Sequence, residues 1–147
     1  MADLHLIEPA RRDDLPHILS LLEACGLPPD GLEDHLSTAL VLRAGGRVAG
    51  CAALELYGPH ALLRSVAVRP ELRGRGAGRR LTAAALSLAR ERGATSVYLL
   101  TQTAGGFFSR LGFRPVDRSR VPQSVRRSVE FVSACPESAQ AMVLGAP

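Results

Sequence analysis

The segment richest in chemical groups is ELRGRGAGRRL, residues 71–81, which holds three glycines and four arginines. It lies between an apolar run and a stretch of helical composition. The first N–H groups of a helix are unpaired and carry a partial positive charge. Glycines before a helix let an anion approach the backbone, and arginines add charge-assisted hydrogen bonds. The segment therefore predicts a site for a phosphate or pyrophosphate group.

The spacing within this segment separates three kinds of phosphate loop. A P-loop requires a lysine, and the sequence contains none. The dinucleotide pattern G-x-G-x-x-G fails because Gly78 is followed by Arg79 and Arg80. The pattern that is present is Arg73-x-x-Gly76-x-Gly78, placed directly after an apolar run that ends in VAVRP.

This pattern resembles the acetyl-CoA loop of the GNAT N-acetyltransferase superfamily, in which [Gln/Arg]-x-x-Gly-x-[Gly/Ala] follows a V-x-P strand end. The segment AGGFFSRLGF, residues 104–113, stands where that family shows N-x-x-A-x-x-F-Y-x-x-x-G-F. Together with EFVSACPESAQAM, residues 130–142, these motifs are similar to the arsenic-resistance branch of the superfamily over roughly residues 39–142. The resemblance implies an acetyl-CoA-dependent N-acetyltransferase in a detoxification setting.

The elements that must position the loop follow from hydrophobic periodicity and from Gly and Pro punctuation. The predicted order is strand, helix, three strands, helix, strand, helix, strand. Their predicted ranges are strand 4–10, helix 11–26, one or two helical turns at 31–36, hairpin 39–58, strand 61–68, helix 79–93, strand 95–101, short helix 104–113, strand 128–134 and a short helix after Pro136. This order predicts an α/β (α+β) fold in one domain, residues 1–147. We expect a mostly antiparallel mixed sheet of about six to seven strands with helices on both faces.

Composition restricts the function classes. The net charge is +4, carried by arginine, and four Phe, two Tyr and no Trp give few rings on which bases could stack. Single-stranded nucleic acid is therefore not the expected partner. No apolar run reaches the length of a membrane span, and the N-terminus lacks the pattern of a signal peptide. We predict a cytoplasmic protein with a small-molecule substrate, no membrane or nucleic-acid partner, and a homodimer by analogy with the family.

The family resemblance also implies where acetyl-CoA binds. The pantetheine arm would pair with the backbone of the strand before the loop, at Val66, Ala67 and Val68. The pyrophosphate would lie on the amides of residues 74–78. The residues implied for the loop are Arg73, Gly74, Arg75, Gly76, Ala77, Gly78 and Arg79. An amide near Ser65 or Val66 would face the thioester oxygen and form an oxyanion hole.

Acyl transfer to an amine requires a group that removes a proton from the amine. Alternation along strand 48–58 puts Glu55 and Tyr57 on one face near the strand's end. Glu55 is the first candidate for the base and Tyr57 for an orienting or proton-relay group, although both could be structural. Arg64 lies in an apolar strand, and a buried arginine requires an anionic partner. That partner is either Glu55 or the carboxylate of an amino-acid-like acceptor.

Two positions depart from the family pattern. Phe108 stands where the family commonly has the tyrosine that protonates the departing thiolate, and Thr101 stands where an asparagine often binds pantetheine. Either the thiolate leaves unaided or Ser109, Tyr57 or Cys135 supplies the proton. The departures also allow a second hypothesis, a non-catalytic acyl-CoA-binding sensor or interaction module.

The three cysteines, Cys25, Cys51 and Cys135, are widely spaced and form no metal-binding motif. We expect reduced thiols and no resident metal. A third hypothesis, direct capture of arsenite, predicts that the three thiols converge on a common point.

Overall fold

The computed structural model describes residues 6–145. Seven strands and four α-helices are found in this part of the chain. In chain order they are β1 (Leu6–Pro9), α1 (Leu15–Ala24), β2 (Ala39–Ala44), β3 (Arg47–Tyr57), β4 (His60–Val68), α2 (Ala77–Glu91), β5 (Ser96–Thr101), α3 (Gly105–Arg110), β6 (Arg114–Val116), α4 (Gln123–Arg126) and β7 (Gln140–Gly145). Short 3-10 turns precede α1 and β2, and one π-helical turn covers Glu130–Ala134.

All seven strands belong to one mixed sheet with the order β1-β2-β3-β4-β5-β7-β6. Only the β4–β5 contact is parallel, and the other neighbours are antiparallel. The parallel pair is joined by the crossover that contains α2, because parallel neighbours cannot be linked by a hairpin. The predicted fold class, with its crossover after the third consecutive strand, is confirmed.

The helices cover both faces of the sheet. On one face, Ile18, Leu21 and Leu22 of α1 pack against alternate strand residues such as Val41 and Ala53. On the other face, Leu81, Ala85 and Ala89 of α2 pack against the intervening residues, such as Leu42 and Leu54. This period-two division gives each face of β2 and β3 its own helix, so both strands are apolar over most of their length.

The sheet opens between β4 and β5. Their pairing covers His60–Leu62 with Ser96–Tyr98, and both strands continue beyond this register. Arg64 of β4 still pairs with Ala53 of β3 on the other side. The strands therefore form a V-shaped opening that widens toward the glycine-rich loop.

The sequence prediction is wrong in the C-terminal third. Residues 128–134, predicted as a strand, instead end in the π-helical turn, and the last strand is β7, where a helix was expected. β6 was not predicted. The Ser128 hydroxyl accepts the Glu130 N–H and the Ser128 carbonyl accepts from Phe131 and Val132, which folds this β-branched and aromatic segment into turns. Local hydrogen bonds thus override β-propensity here.

Candidate active site

A cavity of about 1010 Å³ occupies the opening between β4 and β5. The loop before α2 forms one end of the cavity, and the turn at residues 130–136 forms part of its wall. Most of the predicted cofactor residues line it: Val66, Ala67, Val68, Arg73, Gly74, Gly76, Ala77, Gly78, Arg79, Thr101 and Phe108. Arg75 is not among the lining residues. The cavity thus unites residues that the sequence predicted from three separate motifs.

The glycine-rich loop has the backbone of an anion-binding turn. Gly74 and Gly76 have φ values of 78° and 83°, a left-handed conformation that residues with a Cβ rarely adopt. Gly76 is the N-cap of α2, so the unpaired amides at the helix start face this end of the site. The Arg73 guanidinium folds back onto the loop, where Nε donates to the Val68 carbonyl at 3.1 Å. Arg73 therefore also fixes the loop against the end of β4.

Backbone geometry at Ser65 interrupts the ladder of β4. Ser65 has a φ of 60°, the only left-handed value among the non-glycine residues of the described range 6–145. At this point Cys51 pairs with Ala67 whereas Ala53 pairs with Arg64, so Ser65 and Val66 together oppose Ala52. This bulge turns the backbone at the edge of the cavity. A strained backbone at a cavity edge supports the predicted oxyanion role of this segment, which stays a prediction.

The two positions that depart from the family pattern both line the cavity. The Thr101 hydroxyl accepts the Ala104 N–H at 3.0 Å and thereby holds the start of α3, while its own proton is available to donate. Phe108 is buried and makes edge-on contacts with Phe107 and Phe113. Phe108 thus forms an apolar wall and carries no group that could protonate a thiolate.

Behind β4, a buried polar cluster surrounds Arg64. The Arg64 side chain is fully enclosed; Nη1 donates to Glu55 Oε2 at 2.8 Å and Nη2 donates to the Pro28 carbonyl at 3.1 Å. Of the two partners that the sequence left open for Arg64, the structure shows the internal one, Glu55. A role for Arg64 in holding an acceptor carboxylate stays a prediction, because such a carboxylate would have to compete with the buried Glu55.

Glu55 and Tyr57 lie next to each other, as the alternation of β3 predicted. Neither side chain is among the residues that line the cavity. Burial raises the pKa of Glu55, but hydrogen bonds from Tyr57, Arg64 and Ser128 outweigh burial and hold the pKa below its ordinary value. Burial and the hydrogen bond to Glu55 raise the pKa of Tyr57. Their catalytic roles stay predictions, and Glu55 is a carboxylate whose oxygens are already engaged.

The structure adds an acid that the sequence analysis missed. Glu130, in the π-helical turn, is 4% exposed and lines the cavity, and its Oε2 lies 3.4 Å from Arg64 Nε. Burial raises the pKa of Glu130 to about 7, although the Arg64 charge opposes this effect. A single glutamate in an apolar run was the available signal, since a buried acid requires a partner. The prediction of a strand over residues 128–134 did not take this signal into account.

The cysteines do not converge. Cys51 is buried and its thiol donates to the Ser65 carbonyl at 3.1 Å, whereas the Cys25 sulfur accepts from Arg73 Nη2 at 3.3 Å. Within residues 6–145 no group of three or more His, Cys, Asp or Glu side chains could hold a metal ion, so the hypothesis of arsenite capture by three thiols is wrong. Burial raises the pKa of Cys135 to about 12. Of the three proposed proton donors, only Cys135 lines the cavity.

The splayed parallel pair, the glycine-rich loop at a helix start and the bulge at Ser65 all border one cavity in the opening of the sheet. The sequence matches the Acetyltransferase (GNAT) family over residues 4–113. The chain therefore belongs to the GNAT family of acetyltransferases, whose members use acetyl-CoA as the acetyl donor. The predicted superfamily, enzyme class and co-substrate are confirmed.

Two curated relatives illustrate the similarity. The uncharacterized N-acetyltransferase CT2212 of Chlorobaculum tepidum is 33% identical over 99 residues, which are 67% of this chain and 63% of that protein. The amino-acid acetyltransferase of Neisseria meningitidis serogroup A is 30% identical over 130 residues, which are 82% of this chain and 30% of that protein. The chain thus spans less than two thirds of the length of either relative.

Solved structures show the same fold with coenzyme A bound. N-acetylglutamate synthase from Neisseria gonorrhoeae, complexed with coenzyme A and N-acetyl-glutamate, superimposes with a TM-score of 0.83 and 26% identity over 99% of this chain and 36% of that chain. Rv2747 from Mycobacterium tuberculosis, in complex with CoA and a second ligand, gives a TM-score of 0.81 and 25% identity over 97% of this chain and 99% of that chain.

Proposed function

We propose that this chain transfers the acetyl group of acetyl-CoA to the primary amine of a small, amino-acid-like molecule. The observation that carries the proposal is the single cavity that joins the glycine-rich loop, the Ser65 bulge and a buried acid. The loop supplies positive charge for the pyrophosphate, the bulge supplies backbone groups for the thioester, and the acid supplies a proton acceptor.

Different residues along the cavity would bind different parts of acetyl-CoA. The loop amides, with Arg73 and Arg79 of the cavity lining, would hold the pyrophosphate, and Arg75 would add positive charge from outside the lining. Val66 and Val68 of β4 would pair with the pantetheine arm, since this edge of β4 lies beyond its pairing with β5. Thr101 would donate its hydroxyl proton to the same arm. Ser65 would place the amide that stabilises the oxyanion.

The acceptor class is supported by the relatives. One relative is named as an amino-acid acetyltransferase, and another is an N-acetylglutamate synthase. Pro28, Asp30 and the turn that carries Glu130 line the same cavity as the loop.

A finer hypothesis concerns the biological setting. The tail motif EFVSACPESAQAM is similar to the arsenic-resistance branch, which points to an organoarsenical analogue of glutamate as the acceptor. Acetylation would remove the amine charge that a glutamate-using target recognises. This setting rests on motif similarity alone, and the cytoplasmic location and the homodimer likewise stay predictions. No helix within residues 6–145 is long and apolar enough to cross a membrane.

The test is the release of the CoA thiol from acetyl-CoA in the presence of single acceptors. The panel contains L-glutamate, its phosphinic and arsenical analogues, simple polyamines and short peptides. Turnover confined to the acidic amino-acid analogues is the expected result, and turnover of polyamines or peptides alone would contradict the acceptor class. Tight acetyl-CoA binding without turnover of any acceptor would favour the non-catalytic binding module.

A further inference from the structure

Two acids line the cavity, the exposed Asp30 and the buried Glu130, and the mechanism predicted from the sequence uses neither. Glu130 lies next to Arg64, and Arg64 is followed in β4 by the Ser65 bulge, where the thioester is expected. Glu130 begins the π-helical turn, and this turn places Glu130 in the lining of the cavity. The Glu130 carboxyl therefore lies close to the part of β4 where an acceptor amine is expected to meet the acetyl group.

We propose that Glu130 is the catalytic base that takes the proton from the acceptor's ammonium group before the nitrogen attacks the acetyl-CoA thioester. This proposal rests on the acetyltransferase function proposed above and names the base for it. It assigns to Glu130 the role for which the sequence favoured Glu55. Glu55 then acts only indirectly, because it binds Arg64 and the Arg64 charge lies 3.4 Å from Glu130.

The proton and bond changes balance without any further reactant. The ammonium nitrogen gives one proton to the Glu130 carboxylate and becomes a neutral amine. The amine forms a bond to the acetyl carbon, the carbon–sulfur bond breaks, and the thiolate leaves with the electron pair. The thiolate takes the second proton from the nitrogen, which gives the amide and CoA-SH. Glu130 then returns its proton to the solvent.

The surroundings of Glu130 suit a base that works near neutral pH. The charged and titratable groups around it come from several elements: Arg64 from β4, Glu55 from β3, Asp30 from the loop after α1, and Cys135 at the end of its own turn. Burial is the main cause that raises its pKa to about 7; Glu55 and Asp30 act in the same direction, while Arg64 and Cys135 oppose them. A base is most effective when its pKa lies near the working pH.

Glu55 is less suited to this role for three reasons. Its oxygens already accept hydrogen bonds from Tyr57 and Arg64. Its pKa lies below the ordinary value, so it takes up protons weakly. It is 1% exposed and does not line the cavity. A primary amine such as that of lysine, with a pKa of about 10.4, is largely protonated at neutral pH and requires a stronger base.

The experiment compares the pH dependence of kcat for the parent protein, Glu130→Gln and Glu137→Gln. The acceptor is the panel member that the parent protein acetylates fastest. Glu137→Gln is the matched control. Glu137 is exposed and lies just after the turn that carries Glu130, and its substitution is the same change from Glu to Gln. Thermal melting and the Kd for acetyl-CoA are measured for each variant.

We expect kcat of the parent protein to fall with decreasing pH along a limb with an apparent pKa near 7. Glu130→Gln should lose this limb, and its kcat at pH 7 should fall by about 10²- to 10⁴-fold. Its Kd for acetyl-CoA should stay within about twofold of the parent value, which a collapsed site would not allow. Glu137→Gln should keep the parent profile.

An unchanged limb and rate in Glu130→Gln would overturn the proposal. If Glu130→Gln does not melt cooperatively, Glu130→Asp decides: a carboxyl drawn back by one methylene should shift the limb and lower kcat, whereas an unshifted profile would overturn the proposal. The two failures are distinguishable. A parent protein that binds acetyl-CoA and acetylates no panel member overturns the proposed function itself, whereas an active parent with an unaffected Gln variant overturns only the role of Glu130.

Discussion

Glu130 and Arg64 form a buried contact in which the negative charge of Glu130 is only weakly compensated. Arg64 is bound closely by Glu55 at 2.8 Å, and its contact to Glu130 is longer, at 3.4 Å. Desolvation therefore outweighs attraction at Glu130 and shifts its equilibrium toward the neutral form relative to a free glutamate. Such a carboxyl costs stability when it is ionised, which is typical of groups retained for function.

This cost predicts a pH-dependent stability difference. The pKa of Glu130 is raised from its ordinary value of 4.5 to about 7 in the fold, so its stabilising contribution is complete below pH 4.5 and is lost as the pH rises through 7. The loss amounts to about 3 kcal/mol. Urea unfolding of the parent protein and Glu130→Gln at pH 5 and pH 8 measures it. As the pH rises, the free energy of unfolding of Glu130→Gln should increase relative to that of the parent protein.

The same comparison carries its own control. Glu137→Gln changes an exposed carboxyl, so its free energy of unfolding should follow that of the parent protein at both pH values. A constant difference between the parent protein and Glu130→Gln from pH 5 to pH 8 would show that Glu130 is ionised at its ordinary pKa in the fold.

At the level of elements, the sequence predicted those segments whose signals are local. The Gly45-Gly46 hairpin, the alanine- and leucine-rich helix α2, and the glycine-rich loop all follow from turn chemistry and periodicity. Residues 128–134 were mispredicted because Val129, Phe131 and Val132 favour strands locally. The segment also contacts Arg64, 66 residues earlier in the chain, and no local pattern encodes that contact.

The loop before α2 offers a test of backbone conformation alone. A Cβ added at Gly76 would meet no atom within 4 Å, but the φ of 83° is left-handed. Gly76→Ala should therefore strain the loop by about 1–2 kcal/mol. In the free variant the loop is expected to relax from this strained conformation, and binding of acetyl-CoA must then restore it. The Kd for acetyl-CoA, measured by isothermal titration calorimetry, should therefore rise about 5- to 30-fold.

Gly105→Ala is the matched control for this loop. An added Cβ at Gly105, at the start of α3, also meets nothing within 4 Å, and its φ is not left-handed. Its Kd for acetyl-CoA should equal that of the parent protein. Equal Kd values for Gly76→Ala and the parent protein would mean that the loop holds the pyrophosphate without its left-handed turn.

On the scale of the whole molecule, the sheet consists of two parts joined by a short parallel contact. β1 to β4 form one part and β5 to β7 form the other, and three register pairs connect them: His60 with Ser96, Ala61 with Val97, and Leu62 with Tyr98. Beyond these pairs the two parts diverge around the cavity. A ligand in the opening therefore contacts both parts and supplies the connection that the strands lack.

This arrangement predicts how acetyl-CoA changes the dynamics of the fold. Hydrogen–deuterium exchange measured by mass spectrometry should slow on both edges of the opening, in residues 63–68 of β4 and residues 99–104 after β5, because one ligand covers both. The hairpin turn at Gly45 and Gly46 lies outside the cavity lining and should exchange at an unchanged rate. Ligand at 100 times its Kd should also raise the free energy of unfolding by about 2.7 kcal/mol. Slowing confined to β4 would contradict a ligand that bridges the two parts of the sheet.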